Sequence, residues 1–322
     1  MLILNQEDLL RAVSREEIVD CVEKAVLLHE EKDFHMPDRM CVDYGKNSLL
    51  LMPCFTKKSM GTKLVSLFPE NEKKDLPVLF GVMVLNDGET GKPLAVINGS
   101  ALTALRTGAV GGAGIRHMTS EKVKSLGIVG AGVQGFHQAV TACTQRQFKK
   151  VYVYDKFSDK AFGLCEKLSE ALKDRDVTEA KSPEELLIES DVVITATTSS
   201  EPVLPDEPEL FLGKHVVGIG SYKPDMREFP KALYTHVRTM AVDTGYALVE
   251  SGDVKVPLEK GWIRKDQIVT LGKIISGKVP VTCRKEETTV FKSVGMALFD
   301  LIVSGFIYKR AVEKGIGREV VF

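Results

Sequence analysis

The fold of this chain is decided by one stretch, Ser125-Leu-Gly-Ile-Val-Gly-Ala-Gly-Val-Gln-Gly135, in which a short apolar segment runs directly into three spaced glycines. The apolar segment predicts a buried strand, and the amphipathic pattern over 133–145 predicts a helix that opens inside the glycine turn. In such a turn the first glycine permits the tight bend, and the third lets the helix pack close on the strand. The stretch therefore predicts the first strand–turn–helix unit of a doubly wound parallel sheet.

The same alternation continues on the C-terminal side of this turn, which is typical of α/β proteins. Short β-branched-rich segments predict parallel strands over 125–129, 151–154, 191–195, 215–219 and 239–242, with helices over 156–172 and 183–190. On the N-terminal side, apolar runs predict strands of another sheet over 48–52, 63–68, 77–85 and 93–97, followed by a helix over 101–117. A helix over 294–313 and a strand over 318–322 do not fit the doubly wound pattern.

These patterns divide the 322 residues into two predicted domains. A Rossmann domain, which contains the doubly wound parallel sheet, covers 119–292. The other α/β domain is discontinuous, because the C-terminal segment is expected to return to it. Its two parts cover 1–118 and 293–322.

The glycine turn has the chemistry of a phosphate site. The predicted helix that begins at Val133 presents unpaired N–H groups and partial positive charge, and Gly132 lets the backbone approach a pyrophosphate. Twenty residues after Gly135 the second strand ends in Asp155, whose carboxylate can accept hydrogen bonds from ribose hydroxyls and repel a 2′-phosphate. We therefore expect a dinucleotide site that prefers NAD(H), with Lys156 beside the acid leaving room for NADP(H).

Two further segments are expected to line the same site, because ligands of such sheets bind beyond the carboxyl ends of the strands. The hydroxyl-rich segment Thr195-Ala-Thr-Thr-Ser-Ser200, which includes Thr197, ends one predicted strand. The segment Gly218-Ile-Gly-Ser221, which supplies Gly220 and Ser221, ends the next. Hydroxyl runs are also ordinary loop chemistry, so both interpretations stay open for these residues.

Three basic residues outside the Rossmann domain are candidates for binding an anionic substrate. Arg39 precedes a predicted strand, Lys63 opens another, and Arg106 lies in a predicted helix with no acid three or four residues away. A charged side chain on an otherwise apolar helix needs a partner, and an anionic ligand is one candidate. The spacing of the three residues does not show that they meet, and each can instead be an ordinary surface charge.

Composition and charge exclude several classes of protein. The 43 basic and 44 acidic residues leave a formal net charge of −1, which is not the footprint of a nucleic-acid-binding protein. No apolar run is long enough for a membrane span, and the first residues do not have the pattern of a secretory signal, so a cytoplasmic location is expected. The six histidines and six cysteines show no metal-ligand spacing, so no metal site is expected.

Motifs along nearly the whole chain resemble those of the ornithine cyclodeaminase/mu-crystallin family. They keep the family's order and are Thr62-Lys-Leu-Val65, Glu89-Thr-Gly-Lys-Pro-Leu-Ala-Val96, Thr103-Ala-Leu-Arg-Thr107, Gly130-Ala-Gly-Val-Gln134, Pro224-Asp-Met-Arg-Glu228, Glu250-Ser-Gly-Asp253 and Thr289-Val-Phe-Lys-Ser-Val-Gly-Met-Ala297. The resemblance implies a Rossmann NAD(P)-binding domain and a second domain that binds the substrate and forms homodimers. It also implies that the substrate is a small imino or amino acid.

The resemblance implies roles for individual residues. Arg39 and Arg106 match positions that bind the α-carboxylate of an amino or imino acid, for which a bidentate guanidinium is well suited. Lys63 matches the central proton donor or acceptor, with a pKa that two neighbouring arginines are expected to lower. Positions implied to contact the cofactor are Arg106, Thr107, Val133, Gln134, Asp155 and Ser293, with Arg106 serving both ligands.

One departure from the family pattern bears on the reaction. Ornithine cyclodeaminases and the related archaeal alanine dehydrogenases carry an aspartate two residues after the glycine that ends the fifth strand, where this chain has Tyr222. The nearby Asp225 lies in a segment that resembles the mu-crystallin branch. The pattern therefore favours an NAD(P)H-dependent reductase of a cyclic imino acid, a pyrroline- or piperideine-2-carboxylate. The alternatives are an ornithine cyclodeaminase or amino-acid dehydrogenase, and a non-catalytic protein that binds NAD(P)H and a small ligand.

Overall fold

The computed structural model of the protein describes residues 1–281 and 284–321. These residues form two compact units. The first unit consists of Met1–Arg106 together with the residues from Met296 onward, and the second unit consists of Thr107–Gly295. Each unit is built on its own β-sheet.

The N-terminal part of the first unit consists of two capped helices and an antiparallel meander. The helices begin at capping boxes, in which the side chains of Asn5 and Ser14 accept hydrogen bonds from the backbone N–H groups of Asp8 and Glu17. The elements are β1 (Leu2–Leu4), α1 (Gln6–Ala12), α2 (Arg15–Glu31), β2 (Met40–Tyr44), β3 (Asn47–Phe55), β4 (Ser59–Leu67), β5 (Leu79–Asp87) and β6 (Pro93–Asn98). A third helix, α3 (Gly99–Met118), follows and contains the boundary between the units, after Arg106.

In the part of the chain that the structure describes, the second unit contains eight strands that pair in parallel, in the order β13-β12-β14-β11-β10-β7-β8-β9. Its elements are β7 (Ser125–Val129), α4 (Val133–Gln145), β8 (Lys150–Tyr154), α5 (Ser158–Ala171), β9 (Asp176–Glu179), α6 (Pro183–Glu189), β10 (Val192–Thr195), β11 (His215–Gly218), β12 (Val237–Val242), α7 (Ala247–Glu250), α8 (Gly252–Glu259), β13 (Ile268–Thr270), α9 (Leu271–Ile275) and β14 (Thr288–Lys292). The predicted α/β class with a doubly wound parallel sheet is confirmed.

The C-terminal segment completes the sheet of the first unit. After α10 (Ala297–Lys314), strand β15 (Arg318–Glu319) pairs antiparallel with β1, which gives the order β15-β1-β6-β5-β4-β3-β2. Helix α10 is apolar along most of its length and packs against α2 and against β3, β4 and β5. The predicted strand over 318–322 is shorter in the structure, and its last residue lies outside the described residues.

The register of the antiparallel strands determines which side chains of the first unit face α10. Met52, Lys63, Met83 and Ile97 lie opposite one another across β3, β4, β5 and β6, and all four are buried. Because directly opposite residues point to the same face of a sheet, Lys63 is the one charged member of this otherwise apolar row.

Three strands of the second unit, β9, β13 and β14, were not predicted from the sequence. Strand β9 reads Asp-Val-Thr-Glu and is mostly exposed, so it has neither an apolar run nor a buried alternation. Strand β13 has only three residues. Strand β14 is fully buried although it begins with two threonines and ends in Lys292, so its polar composition concealed a central position in the sheet. No helix of the described part of the chain is both long and apolar enough to cross a membrane.

Candidate active site

Lys63 lies in the middle of β4 with only 2% of its surface exposed. Its Nζ donates to Asp300 Oδ2 at 2.7 Å and to Thr103 Oγ1 at 3.3 Å. Two residues earlier in the same strand, a Cβ on Gly61 would lie 2.6 Å from the Met83 side chain and 3.3 Å from Leu301. The missing side chain at Gly61 therefore lets α10 lie close to β4, which brings Asp300 to the lysine.

Arg106 reaches the same carboxylate from α3. Its Nε donates to Asp300 Oδ1 at 3.0 Å, so Asp300 binds a different cation with each of its oxygens. Arg106 is 6% exposed and Asp300 is 1% exposed. We call Lys63, Arg106 and Asp300 the first-unit cluster.

Burial and neighbouring charges set the protonation of this cluster. Burial lowers the pKa of Lys63 to about 8; Asp300 opposes this effect, while Arg106 and Arg39 add to it. Arg39 is half-buried immediately before β2, and its charge acts on the lysine. Burial by itself would raise the pKa of Asp300, but Arg106 and Lys63 together hold it below its usual value. At neutral pH the cluster therefore contains a carboxylate, a guanidinium and a mostly protonated ammonium.

The charges of the first-unit cluster do not balance. One carboxylate faces two buried cations, and Arg39 adds a third positive charge nearby. Since charges interact strongly where water is excluded, this surplus positive charge favours an anionic ligand. The arrangement suits a small ligand that carries a carboxylate and accepts a proton from the Lys63 ammonium.

The glycine turn of the second unit has the shape that a pyrophosphate needs. Gly130 has a φ of +106°, and a Cβ on Gly135 would lie 2.1 Å from the Gly130 carbonyl oxygen, so both positions require glycine. A Cβ on Gly132, the N-cap of α4, would meet open space, and no side chain caps this helix. The first N–H groups of α4 therefore lie at an accessible backbone where an anion can bind.

Two side chains at this turn were predicted to contact a cofactor. Val133 is 68% exposed although it begins an otherwise well packed helix. Gln134 Oε1 is buried and has no hydrogen-bond partner among the residues that the structure describes. An exposed apolar side chain and an unpaired buried acceptor are both consistent with a bound group that covers them.

Asp155 lies at the carboxyl end of β8, beside the glycine turn. Its Oδ2 accepts from the Ala131 N–H at 2.8 Å and its Oδ1 accepts from the Phe157 N–H at 3.0 Å. Each oxygen has a second lone pair, so the oriented carboxylate can still accept from ribose hydroxyls. Lys156 Nζ lies 5.0 Å from the centre of the Phe157 ring, and Lys160 lies at the same distance from that ring. The residues of this turn therefore fit an NAD(H) adenosine and pyrophosphate.

The loops after β10 and β11 are joined by a buried acid that was not predicted as a site residue. Glu228 Oε1 accepts from the N–H of Thr197 at 2.7 Å and from its Oγ1 at 2.9 Å. Glu228 Oε2 accepts from the N–H groups of Gly220 at 2.8 Å and Ser221 at 3.2 Å. Burial raises the pKa of Glu228, and Lys292 opposes that effect. Glu228 therefore fixes the two loops that were expected to line the cofactor site.

Several predicted hydroxyls are already bound within the protein. Ser221 Oγ donates to the Met226 carbonyl oxygen at 2.7 Å, and Ser293 Oγ donates to Asp243 Oδ2 at 2.6 Å. Thr195 is fully buried, and its Oγ1 has no partner in the described part of the chain. Thr107 is buried in α3, and its carbonyl oxygen accepts from Gln138 Nε2 at 2.8 Å. Direct contact of these residues with a cofactor stays a prediction.

A buried ion pair lies next to Glu228. Lys292 Nζ is 3.5 Å from Asp253 Oδ2, and both side chains are 0% exposed. Asp253 Oδ1 accepts from the N–H groups of Glu228 at 2.7 Å and Phe229 at 2.9 Å. We call Glu228, Asp253 and Lys292 the second-unit cluster.

Sequence reasoning missed Asp300, Glu228, Asp253 and Lys292 as site or support residues. Asp300 had a signal, because it is an acid within the apolar stretch 294–308 and needs a partner there for the same reason as Arg106. The other three lie in motifs that carried the family resemblance, but no role was assigned to them. Among the residues that the structure describes, no three His, Cys, Asp or Glu side chains are grouped to hold a metal ion.

Comparisons with known proteins identify relatives of this chain. Residues 1–315 match the model of the ornithine cyclodeaminase/mu-crystallin family. A Delta(1)-pyrroline-2-carboxylate reductase of Bacillus cereus is 32% identical over 328 residues, which cover 100% of both chains. A Thermococcus litoralis Delta(1)-pyrroline-2-carboxylate reductase, solved with NADH and L-proline, is 34% identical with a TM-score of 0.92 over 99% of this chain and 100% of that one. An archaeal alanine dehydrogenase dimer with bound NAD is 28% identical with a TM-score of 0.90 over 100% and 99% of the two chains.

Proposed function

The chain belongs to the ornithine cyclodeaminase/mu-crystallin family, and from that premise we propose that it is an NAD(H)-dependent reductase of a cyclic imino acid. The substrate is a pyrroline- or piperideine-2-carboxylate. The observation that carries this proposal is the buried first-unit cluster, in which an ammonium beside a guanidinium retains surplus positive charge. Relatives that reduce pyrroline-2-carboxylate, one of them solved with NADH and L-proline, support it.

Arg106 and Arg39 bind the substrate carboxylate in this proposal. The Nε of Arg106 is held by Asp300, so its terminal nitrogens can form the paired hydrogen bonds that a carboxylate accepts. Arg39 adds positive charge from the segment before β2. The two arginines orient the ring so that its nitrogen faces Lys63, and such positioning supplies several kcal/mol of barrier reduction.

Lys63 supplies the proton of the reaction. Reduction converts the C=N bond to C–N, with a hydride added to carbon and a proton added to nitrogen. The hydride would come from NADH held at the glycine turn of the second unit, with NAD⁺ as the oxidised product. The Lys63 ammonium donates the proton and is left as a neutral amine, a form that its pKa of about 8 makes accessible near neutral pH.

The second unit is proposed to bind the cofactor and the first unit the substrate. Gly130, Gly132 and Gly135 hold the pyrophosphate at the start of α4, and Asp155 holds the ribose. The charge of Asp155 favours NAD(H), while Lys156 beside it still admits NADP(H). Thr197 and Gly220, fixed by Glu228, present backbone groups at the carboxyl ends of β10 and β11.

A paired assay tests the proposed reaction against its closest alternative. We expect pyrroline-2-carboxylate to cause NADH oxidation with proline as product, and L-ornithine with NAD to release no ammonia. Asp225 is exposed in the structure, and Tyr222 occupies the position of the family aspartate. Ammonia release with proline formation would replace the reductase with a cyclodeaminase. Tight NADH binding without turnover of any imino or amino acid would instead favour a non-catalytic binding protein.

We also propose that the protein is a homodimer joined through the first unit. The sheet face opposite α10 exposes four apolar side chains that are each 41–50% exposed, namely Val42, Leu49, Phe80 and Val82. The archaeal relative described as a dimer supports this assembly. Sedimentation equilibrium should give twice the chain mass of 35.4 kDa, and a single-chain mass would contradict the proposal. Cys21, Cys54, Cys143 and Cys165 are free thiols, and Cys283 lies outside the described residues. Because free thiols persist in a reducing compartment, we place the protein in the cytoplasm.

A further inference from the structure

We propose that Asp300 is the positioning residue of the reaction, which holds the Lys63 ammonium and the Arg106 guanidinium in their working orientations. This inference rests on the proposed function and extends it to a residue on the C-terminal helix. Both carboxylate oxygens are used, one on each cation, at 2.7 Å and 3.0 Å. A single side chain therefore couples the proton donor to the carboxylate-binding residue.

The contact with Arg106 determines which edge of the guanidinium meets the substrate. A guanidinium can offer a carboxylate two paired donors, either through its two terminal nitrogens or through Nε and one terminal nitrogen. Asp300 accepts from Nε, so it occupies the side edge and leaves the terminal edge to the substrate. Without Asp300 the guanidinium can rotate, and the substrate carboxylate can bind to it in more than one way.

The contact with Lys63 likewise determines which N–H of the ammonium remains for the substrate. An ammonium has three donors, of which one is bound by Asp300 and another by Thr103 Oγ1. The Thr103 hydroxyl itself donates to the Gly99 carbonyl oxygen at 2.7 Å, so it can only accept from the lysine. The third donor of Lys63 is the one that can reach a substrate nitrogen.

Asp300 is itself held rigidly. It lies in the first turn of α10, where partial positive charge favours a carboxylate, and it is 1% exposed. One turn later, Ser304 Oγ donates to the backbone carbonyl oxygen of Asp300, a contact that does not involve the carboxylate or either cation. Because Asp300 is held in one position on α10, it fixes the positions of the Lys63 ammonium on β4 and the Arg106 guanidinium on α3.

Asp300 also influences the pH range in which Lys63 can act. The groups that face it are Lys63 on β4, Arg106 on α3 and Cys54 on β3; burial raises the pKa of the Cys54 thiol to about 12, so it stays neutral. Lys63 donates a proton only below its own pKa of about 8, so activity should fall as the pH rises through that value. Because Asp300 raises the pKa of Lys63, loss of the carboxylate should move this fall to lower pH.

The test compares Asp300→Asn and Asp300→Glu with Ser304→Ala. The Asn variant is expected to raise KM for pyrroline-2-carboxylate about tenfold or more, to lower kcat about 10²-fold, and to move the alkaline fall of kcat/KM to lower pH. The Glu variant should restore much of the wild-type pH profile, because it restores the negative charge. Ser304→Ala perturbs the same helix turn without touching either cation, so it should change Tm but neither KM nor the pH profile.

Direct titration of Lys63 separates this inference from the proposed function. In wild-type and Asp300→Asn protein, the Lys63 amine can be followed without substrate by NMR of protein labelled with carbon-13 at its lysine side chains, with Lys63→Met identifying the Lys63 signal. A lower Lys63 pKa in the Asn variant supports the positioning role even if no imine is turned over. An unchanged Lys63 pKa, an unchanged pH profile, or losses in KM and kcat that Ser304→Ala reproduces would overturn it.

Discussion

The two buried ion clusters of this molecule have opposite imbalances of charge. The first-unit cluster has two cations for one carboxylate, whereas the second-unit cluster has two carboxylates for one ammonium. In the second-unit cluster the backbone meets part of the excess negative charge, since N–H groups donate to Glu228 and to Asp253 Oδ1. Two terminal nitrogens of Arg106 and one N–H of Lys63 are instead assigned to a ligand. We therefore expect the second-unit cluster to stabilise the fold and the first-unit cluster to serve ligand binding and catalysis.

The largest effect is expected when Lys63 is replaced. Lys63→Met removes the proposed proton donor and should lower kcat for imine reduction by about 10³-fold. The dissociation constant for NADH should stay within about twofold, and Tm should not fall, because a buried ammonium whose pKa is lowered by burial opposes folding. Steady-state kinetics, NADH fluorescence titration and calorimetry measure the three quantities. A near-normal kcat would remove Lys63 from the mechanism.

Replacement of the lysine by methionine in the second-unit cluster should instead destabilise the fold. Lys292→Met leaves Asp253 and Glu228 without their buried cation, and it should lower the free energy of unfolding by about 3 kcal/mol. Denaturant titration of both Met variants, side by side, gives the comparison. If Lys292→Met is as stable as the wild type, the second-unit cluster does not stabilise the fold and the contrast between the two clusters is lost.

A smaller effect is expected at the ribose position. Asp155→Ala removes the carboxylate that we propose to bind the ribose hydroxyls and to repel a 2′-phosphate, while Lys156 and Lys160 remain nearby. The preference for NADH over NADPH should narrow by about tenfold, which corresponds to one pair of charged contacts. Fluorescence titration with each cofactor measures the ratio, and Lys63→Met provides a control in which it should not change. An unchanged ratio in Asp155→Ala would mean that Asp155 does not face the ribose.

The sequence predicted the features of the fold that depend on local chemistry. The glycine spacing and the apolar strand before it predicted the start of α4. The position of Asp155 at the end of the second predicted strand marked it as a candidate for binding the ribose. The sequence could not pair Arg106 with Asp300, because 194 residues separate them and the contact depends on how close α10 packs to β4. It did show that each is a charge within an apolar helix, so the need for a partner was visible although the partner was not.

The supporting acids of the second unit were harder to predict for a different reason. Glu228 binds backbone N–H groups of two loops that follow different strands, and a loop's hydrogen-bond partners are set by tertiary structure rather than by its own composition. Strand β14 has a polar composition, so Lys292 was not recognised as the end of a buried central strand. Motif membership singled out these residues, but only the coordinates supplied a physical role.

The position of Asp300 in the chain has a consequence for synthesis. Arg106 and Lys63 are made early, but their shared counter-ion and strand β15 follow only after the whole of Thr107–Gly295. During translation the contiguous second unit can fold while the first unit still has an incomplete sheet and two like charges without their carboxylate. Closure of the first-unit cluster is therefore a late event, because it needs a residue that is made only after the whole second unit.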